Sequence, residues 1–175
     1  TTYSEIIMVL SWWYRLVVLV YFATHIPITI MIDAQAIFPE NLYPKQLKDL
    51  LRWHVVRHND FLMDTKPIWF RSIVCAEVVL QMPFFFIAVY HLMVAKHRRI
   101  RTGFLIYSAH VCTTMVPILG SFLTSRSFDS EKQRWTLIAI YSPYLLIPLS
   151  LLLTFSEIKE EQQQDDHGRQ AQGGG

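Results

Sequence analysis

Long apolar segments separated by short polar ones dominate the pattern of this chain. Four such segments contain few or no basic residues, and the third has His110 as its only readily titratable side chain. Each approaches the roughly 20 residues that an α-helix needs to cross the hydrocarbon core of a membrane. We therefore predict an all-α membrane protein with four transmembrane helices; the alternative is a soluble bundle of buried helices. The helices are expected at about 15–38, 68–93, 102–123 and 135–155.

The longest connection, residues 39–67, contains a second kind of periodicity. In the stretch YPKQLKDLLRWHVV, apolar side chains recur at Leu47, Leu50, Leu51 and Val55, which is helical spacing. Pro44 suits the first position of a helix. We predict an amphipathic helix here, which either rests on the membrane surface or caps the bundle as a lid.

Composition agrees with a membrane protein and excludes several other classes. The chain of 175 residues is 52% hydrophobic and 17% charged, with a mean hydropathy of +0.26, whereas soluble domains carry about 25% charged residues. Cys75 and Cys112 fall inside predicted helices, so we expect buried thiols and no disulfide. The apolar N-terminal stretch has no cleavage pattern of a signal peptide. No phosphate-binding glycine loop and no metal-ligand spacing is present, so no cofactor or metal is expected.

A basic segment predicts the orientation in the membrane. Four of the six residues 96–101, KHRRIR, are Lys or Arg, and short basic loops stay in the cytosol. With four spans, both termini are then cytosolic. We interpret this segment as a topology signal and expect no nucleic-acid partner. We predict one membrane domain, residues 1–156, and a disordered cytosolic tail, residues 157–175, because that tail is polar and of biased composition.

Two carboxyl groups inside the predicted helices are the main candidates for function. A charged side chain within a bilayer is costly and is a functional candidate by default. Asp33 and Glu77 lie about 8 and 13 Å from the same membrane face on consecutive antiparallel helices, so we expect them to meet. Two such carboxyls cannot easily both ionise, and we expect one to stay protonated and to donate a hydrogen bond to the other. The structural alternative is that Glu77 only clamps helices by bonding to Gln81 or a threonine.

Further polar side chains and prolines indicate a cavity. His25, Thr29 and Asp33 follow each other at four-residue intervals, so they share one face of the first helix. Every predicted span contains a proline, which removes a backbone hydrogen bond and kinks a helix. We therefore predict a bundle of proline-kinked helices around an internal ligand cavity. Its expected aromatic walls are Tyr141, Tyr144 and the run 84–86.

Several stretches together resemble one known family. YFATHIPITIMIDAQAIFPENLYP, AEVVLQMPFFFIAVY, IRTGFLIYSAHVCTTMVPIL and YSPYLLIP are similar to the sigma-2 receptor (transmembrane protein 97) family. That family belongs to the EXPERA-domain group, together with the sterol Δ8–Δ7 isomerase called emopamil-binding protein. The resemblance covers roughly residues 10–155. Two features depart from animal members: the loop 124–134 is shorter, and the tail is acidic and Gln-rich where theirs is a basic retrieval signal.

The resemblance implies a function and a set of site residues. It implies a multi-pass protein of the endoplasmic reticulum, usually a homodimer, that binds sterols and cationic amphiphilic ligands. It also implies a role in cholesterol homeostasis and an association with the Niemann-Pick type C cholesterol transporter. By position in the matching motifs, Asp33 pairs with the ligand amine and Glu77 bonds to that aspartate. The other implied or predicted site residues are His25, Gln81, Thr114, Tyr141, Tyr144 and, in the first loop, Asp60.

Three functions compete at this point. The first is a receptor for sterols or amphiphilic amines, with no catalytic residues. The second is a sterol double-bond isomerase in which Glu77 and Asp33 act as acid and base. The third is a trafficking factor that senses sterol in its cavity and contacts partners through its loops. We expect the first, with the isomerase as the alternative.

Overall fold

The fold is a bundle of helices, and its long apolar helices form the part of the molecule that would span a membrane. The computed structural model describes residues 2–94 and 100–156, with side chains from residue 12 onward. Every regular element in these two ranges is helical. The predicted tail 157–175 and positions 96–99 of the predicted basic turn lie outside the described residues. The helices are α1 (Thr2–Met31), α2 (Lys45–His58), α3 (Phe61–Thr65), α4 (Ile68–Ala76), α5 (Met82–Met93), α6 (Arg101–Thr124), α7 (Glu131–Tyr141) and α8 (Pro143–Ser156).

The length and apolar character of these helices confirm an all-α membrane protein. Three segments are long and apolar enough to cross a membrane: Trp12–Ala36, Ile68–Met93 and Arg101–Thr124. A fourth span exists if α7 and α8, which meet at a bend of 40°, count as one. The outer faces of the spans expose large apolar side chains such as Val79 and Ile106, as a surface facing lipid requires. Cys75 lies on such an exposed face, so the expectation of a buried thiol at this position was wrong; both cysteines are free.

The first span ends its α-helix earlier than predicted. We expected one helix to Phe38, but α1 ends at Met31 and a 3₁₀ turn, Asp33–Ala36, follows it. The amide of Gln35 donates a hydrogen bond of 2.7 Å to the Met31 carbonyl. That bond takes an acceptor that a continuing α-helix would use for its own backbone. The consequence is that Asp33 sits in a turn and not on a helix face.

The second span contains a wide turn in its middle. Residues Glu77–Gln81 form a π-helical turn between α4 and α5, and the backbone N–H of Met82 bonds to the carbonyl of Glu77. Pro83 has no N–H, and its ring would clash with the carbonyl four residues earlier in a regular α-helix. A π-turn relieves that conflict, and such turns are frequent at functional sites. The prediction of a span from 68 to 93 is confirmed, with this interruption.

The last span is broken at a proline. The prediction was a single helix from 135 to 155, but α7 ends at Tyr141 and α8 begins at Pro143. Ser142 keeps helical backbone angles, but Pro143 has no N–H and cannot donate the hydrogen bond that would continue α7 across the break. The bend places Tyr141 and Tyr144 on either side of it.

Aromatic side chains form the centre of the bundle. Phe22 of α1 is fully buried, and its ring centroid lies 5.7 Å from Phe85, 5.9 Å from Phe104 and 5.1 Å from Tyr107. These rings join α1, α5 and α6, and tilted contacts of this kind add to the free energy of burial. The core therefore fixes three spans against one another. It lies farther from the first loop than the polar residues do.

Candidate functional site

A cavity of about 310 Å³ opens between the spans at the loop end of the bundle. Its volume falls within the roughly 300–1,000 Å³ typical of pockets that bury small ligands. Aliphatic side chains of α1, α4 and α6 provide most of the wall, and α2 covers it with Leu50, Trp53 and His54. Of the two alternatives for the amphipathic helix, the structure therefore supports the cap. Seven of the eight predicted site residues line this cavity: His25, Asp33, Glu77, Gln81, Thr114, Tyr141 and Tyr144.

Glu77 lies at the centre of the polar part of the cavity wall. The hydroxyl of Thr29 donates a hydrogen bond of 2.6 Å to Glu77 Oε1. The Nε2 atom of His25 lies 3.2 Å from the same oxygen. Both partners come from α1, one and two turns before Asp33. Glu77 thus clamps α1 to the π-turn through a threonine, which is the structural alternative that the sequence left open.

Asp33 is close to this group but makes no hydrogen bond to it. One ligand atom each of His25, Asp33 and Glu77 lies within 4.8 Å of the others, so the two carboxyls do meet. The expected hydrogen bond between them is not formed: Thr29 and His25 both contact Glu77 Oε1, and Asp33 lies one turn farther along the first span. No side-chain hydrogen bond of Asp33 is formed with any residue in the described ranges. We call His25, Thr29, Asp33 and Glu77 the cavity cluster.

Three hydrogen bonds hold the turn that carries Asp33. Gln35 is buried, and besides the Met31 carbonyl its amide reaches the Leu47 carbonyl of α2 at 3.2 Å. The ammonium of Lys66 donates to the Gln35 carbonyl at 3.1 Å. The turn is therefore tied to α1, to α2 and to the end of α3, and its carboxylate faces the cavity with its backbone fixed.

Asp60 does not line the cavity and belongs to a separate group. It is fully buried and begins α3, where it accepts the backbone N–H of Met63 at 3.2 Å. Its other oxygen accepts a bond of 2.6 Å from the Tyr141 hydroxyl and lies 3.2 Å from His54 Nε2. We call Asp60, His54, Met63 and Tyr141 the loop cluster. Asp60 thus contacts the cavity through His54, Met63 and Tyr141, which line it.

Several residues of the site were not singled out from the sequence. Trp53 and His54 reach the cavity from α2, and Gln35 supports Asp33. The helical spacing of the loop segment was visible, but which residues of that helix turn inward depends on tertiary packing. The run 84–86 was expected in the wall and is not there. Phe85 instead packs in the core and stacks on the His25 ring with centroids 4.7 Å apart.

Comparison with known proteins assigns the family. The model of the family described as EXPERA (EXPanded EBP superfamily) matches residues 46–155, more than half of the chain. The chain belongs to the EXPERA family.

Curated relatives within this family carry a receptor name. Sigma intracellular receptor 2 of Xenopus tropicalis is 45% identical over 141 residues, which cover 77% of this chain and 82% of that protein. The Homo sapiens protein of the same name is 41% identical over 143 residues, covering 76% and 81%. A yeast relative, Efficient mitochondria targeting-associated protein 19 of Saccharomyces cerevisiae, is 31% identical over 145 residues, covering 75% and 90%. The expected resemblance to the sigma-2 receptor family is thus confirmed for this EXPERA protein.

Proposed function

We propose that this EXPERA protein is an intramembrane receptor whose cavity binds sterols and cationic amphiphilic ligands. One observation carries the proposal: a carboxylate without a hydrogen-bond partner, Asp33, faces a largely apolar cavity of ligand size. A carboxylate held in such a place is costly unless a positive charge meets it. An amine on an apolar body, such as a sterol-like ligand, supplies both the charge and the surface that fills the cavity.

Each part of the cavity has a role in this proposal. Asp33 pairs with the amine, and its fixed turn lowers the entropic cost of that contact. Glu77 shapes the polar end of the pocket with Gln81 beside it, and its bonds to Thr29 and His25 keep its position. Tyr144 and Trp53 supply aromatic surface, which also favours a nearby cation. Thr114 donates to its own helix and contributes the methyl group of its side chain.

The proposal is tested by measuring binding of two matched ligands, a sterol-like amine and its neutral alcohol analogue, to purified protein near neutral pH. In Asp33→Asn we expect the affinity for the amine to fall at least about 30-fold, since truncating one partner of a buried charge pair costs about 2 kcal/mol or more. The affinity for the neutral analogue should stay unchanged. Glu77→Gln keeps hydrogen bonds to Thr29 and His25, so its loss should be smaller.

The control is Asp64→Asn, which removes an exposed carboxylate of α3 outside the cavity. It should bind both ligands like the wild type. Amine binding that survives in a folded Asp33→Asn variant would refute the anchor role. Absence of binding of both ligands to the wild type would refute the receptor function itself.

A sterol double-bond isomerase is the second candidate. It is favoured by the contact between His25 and Glu77 at 3.2 Å, since this pair can hold and pass a proton inside an apolar cavity. The curated relatives are named as receptors, which supports the first candidate. Incubation of the purified protein with a Δ8 sterol decides between them: a Δ7 product would establish the enzyme.

We also infer the cellular setting from the family resemblance. The protein would reside in the endoplasmic reticulum membrane as a homodimer, with both termini in the cytosol, and would take part in cholesterol homeostasis and trafficking. The Niemann-Pick type C cholesterol transporter is the expected partner. Co-purification of that transporter in the presence of sterol, and its loss with Asp33→Asn, would support the link; co-purification that ignores both would contradict it.

A further inference from the structure

The cavity cluster has a composition that suits a metal ion. It brings together one imidazole and two carboxylates, with one ligand atom from each within 4.8 Å of the others. No local metal-ligand motif marks these residues, because His25 and Asp33 are eight positions apart on one segment and Glu77 comes from another span. No Lys or Arg is among the described residues that line the cavity. The carboxyl groups of the cluster therefore have no Lys or Arg side chain beside them in the cavity.

The distances within the cluster agree with shared ligation. His25 Nε2 and Glu77 Oε1 are 3.2 Å apart. Two ligands on a tetrahedral zinc ion at about 2.0 Å each lie about 3.3 Å from one another. The third ligand, a carboxylate oxygen of Asp33, lies within 4.8 Å of the other two, so it would have to approach by at most about 1.5 Å to reach the ligand separation of a tetrahedral zinc site. The cavity leaves room for water or another ligand at the fourth position.

The hydrogen bonding of the buried His25 ring also bears on this site. His25 is only 5% exposed, and its Nδ1 atom is buried without a hydrogen-bond partner. If Nε2–H donates to Glu77, the lone pair of Nδ1 has no donor. If the proton is on Nδ1 instead, the lone pair of Nε2 faces a carboxylate oxygen. A cation between Nε2 and Oε1 would replace the lone-pair repulsion of the second arrangement by a favourable contact. Nδ1, on the other side of the ring, would then be an N–H donor that still needs an acceptor.

We propose that His25, Asp33 and Glu77 form a binding site for a divalent transition-metal ion of the zinc type. Zinc accepts imidazole nitrogen together with carboxylate oxygen, whereas magnesium and calcium prefer oxygen ligands alone. The geometry of the cluster is the basis for the site. One consequence, that zinc and a cationic amine exclude each other because both would use Asp33, rests on the function proposed above.

The experiment is a calorimetric titration of the purified, chelator-treated protein with ZnCl2, and with MgCl2 as the control for simple charge screening. We expect one zinc ion per chain and no comparable binding of magnesium. His25→Gln keeps an N–H donor for Glu77 but is a poor zinc ligand. It should weaken zinc binding at least about tenfold, the lower end of the loss that even outer-shell changes cause at metal sites. Asp33→Asn should do the same.

Two variants show that such losses are specific. Thr29→Val removes only the hydroxyl that competes for Glu77 Oε1, so zinc binding should persist or become tighter. His110→Gln changes an imidazole of α6 outside the cluster, and zinc binding should not change. The neutral alcohol analogue reports on folding, since a variant that still binds it has an intact cavity. Should His25→Gln lose that binding, His25→Asn is the replacement variant.

The outcomes separate this inference from the proposed function. If zinc binds the wild type, does not bind His25→Gln and displaces the amine, the metal site and the receptor proposal are both supported. Zinc binding without amine binding supports the metal site and refutes the receptor proposal. Amine binding without zinc binding, or zinc binding that His25→Gln leaves unchanged, overturns the metal site while the receptor proposal stands.

Discussion

The cavity cluster and the loop cluster each place an aspartate near a histidine, yet the two aspartates differ in how fully they are buried and hydrogen-bonded. In the loop cluster, Asp60 accepts bonds from Tyr141 and from the Met63 backbone and lies beside His54, and it is closed off from solvent. In the cavity cluster, Asp33 is half-buried, faces the cavity and accepts none. A satisfied buried carboxylate holds elements together, whereas an unsatisfied one that faces a cavity is available to a ligand.

The largest expected effect comes from exchanging each aspartate for alanine and comparing the free energies of unfolding. Asp60→Ala leaves the Tyr141 hydroxyl, the Met63 N–H and the His54 ring without their acceptor, so we expect a loss of about 3 kcal/mol. Asp33→Ala removes a carboxylate with no hydrogen bonds, so stability should stay the same or rise. Thermal unfolding of both variants in the same detergent, followed by tryptophan fluorescence, measures the difference.

The same pair of variants separates structure from binding. The amine should still bind Asp60→Ala at temperatures where that variant is folded, with a moderate loss because His54 and Tyr141 line the cavity. It should not bind Asp33→Ala. If Asp60→Ala keeps full stability while Asp33→Ala unfolds, the roles that we assign to the two clusters are reversed.

An intermediate effect is expected at Gln35, which supports Asp33 without lining the cavity. Gln35→Leu leaves the Met31 and Leu47 carbonyls without their side-chain donor. At about 1 kcal/mol for each bond, the cost to stability is about 2 kcal/mol. Because the turn that carries Asp33 loosens, the amine should also bind several-fold more weakly, while the neutral analogue is less affected. Both are measured by thermal unfolding and ligand titration.

The control for this variant is Glu40→Gln. Glu40 begins a second 3₁₀ turn, Glu40–Leu42, and its side chain is exposed. It should change neither stability nor binding. Equal loss of the amine and of the neutral ligand in Gln35→Leu would mean that the cavity as a whole has collapsed and that Asp33 is not specifically repositioned.

The elements of the fold that depend on local pattern could be predicted, and those that depend on competition between neighbours could not. The four apolar runs and the amphipathic helix follow from hydropathy and periodicity alone. Where α1 ends depends on Gln35, whose side chain takes the Met31 carbonyl. The prolines at 83 and 143 were recognised as sources of kinks. Pro83 produces a π-turn, whereas Pro143 produces a break in the helix. This difference depends on how the surrounding turns pack.

The residues of the site could be predicted better than the hydrogen bonds among them. Four-residue spacing placed His25, Thr29 and Asp33 on one face, and comparable depth brought Glu77 to them. Which carboxyl the threonine would bind depends on a fraction of a helical turn, which depth estimates do not resolve. Asp60 carries no hydropathy signal of its own, since a buried aspartate in a polar loop looks like any exposed one until Tyr141 is known to reach it.

The smallest expected effect concerns His58, which lies beside the loop cluster on the last turn of α2. Burial, together with the nearby His54 and Arg57, lowers the pKa of His58 below its ordinary value of 6.5. As the pH falls below that value, the unfolded chain takes up a proton that the folded chain refuses, so stability decreases. The decrease ends once the pH is below the pKa of the folded state.

His58→Gln should therefore lose less thermal stability between about pH 7.5 and pH 5.5 than the wild type. The effect is small because the ring is only partly buried, so solvent screens the interactions that shift its pKa. Arg57→Gln removes one cause of the shift and should act in the same direction but more weakly. If His58→Gln shows the full acid sensitivity of the wild type, the acid sensitivity must come from other groups, such as the two clusters themselves.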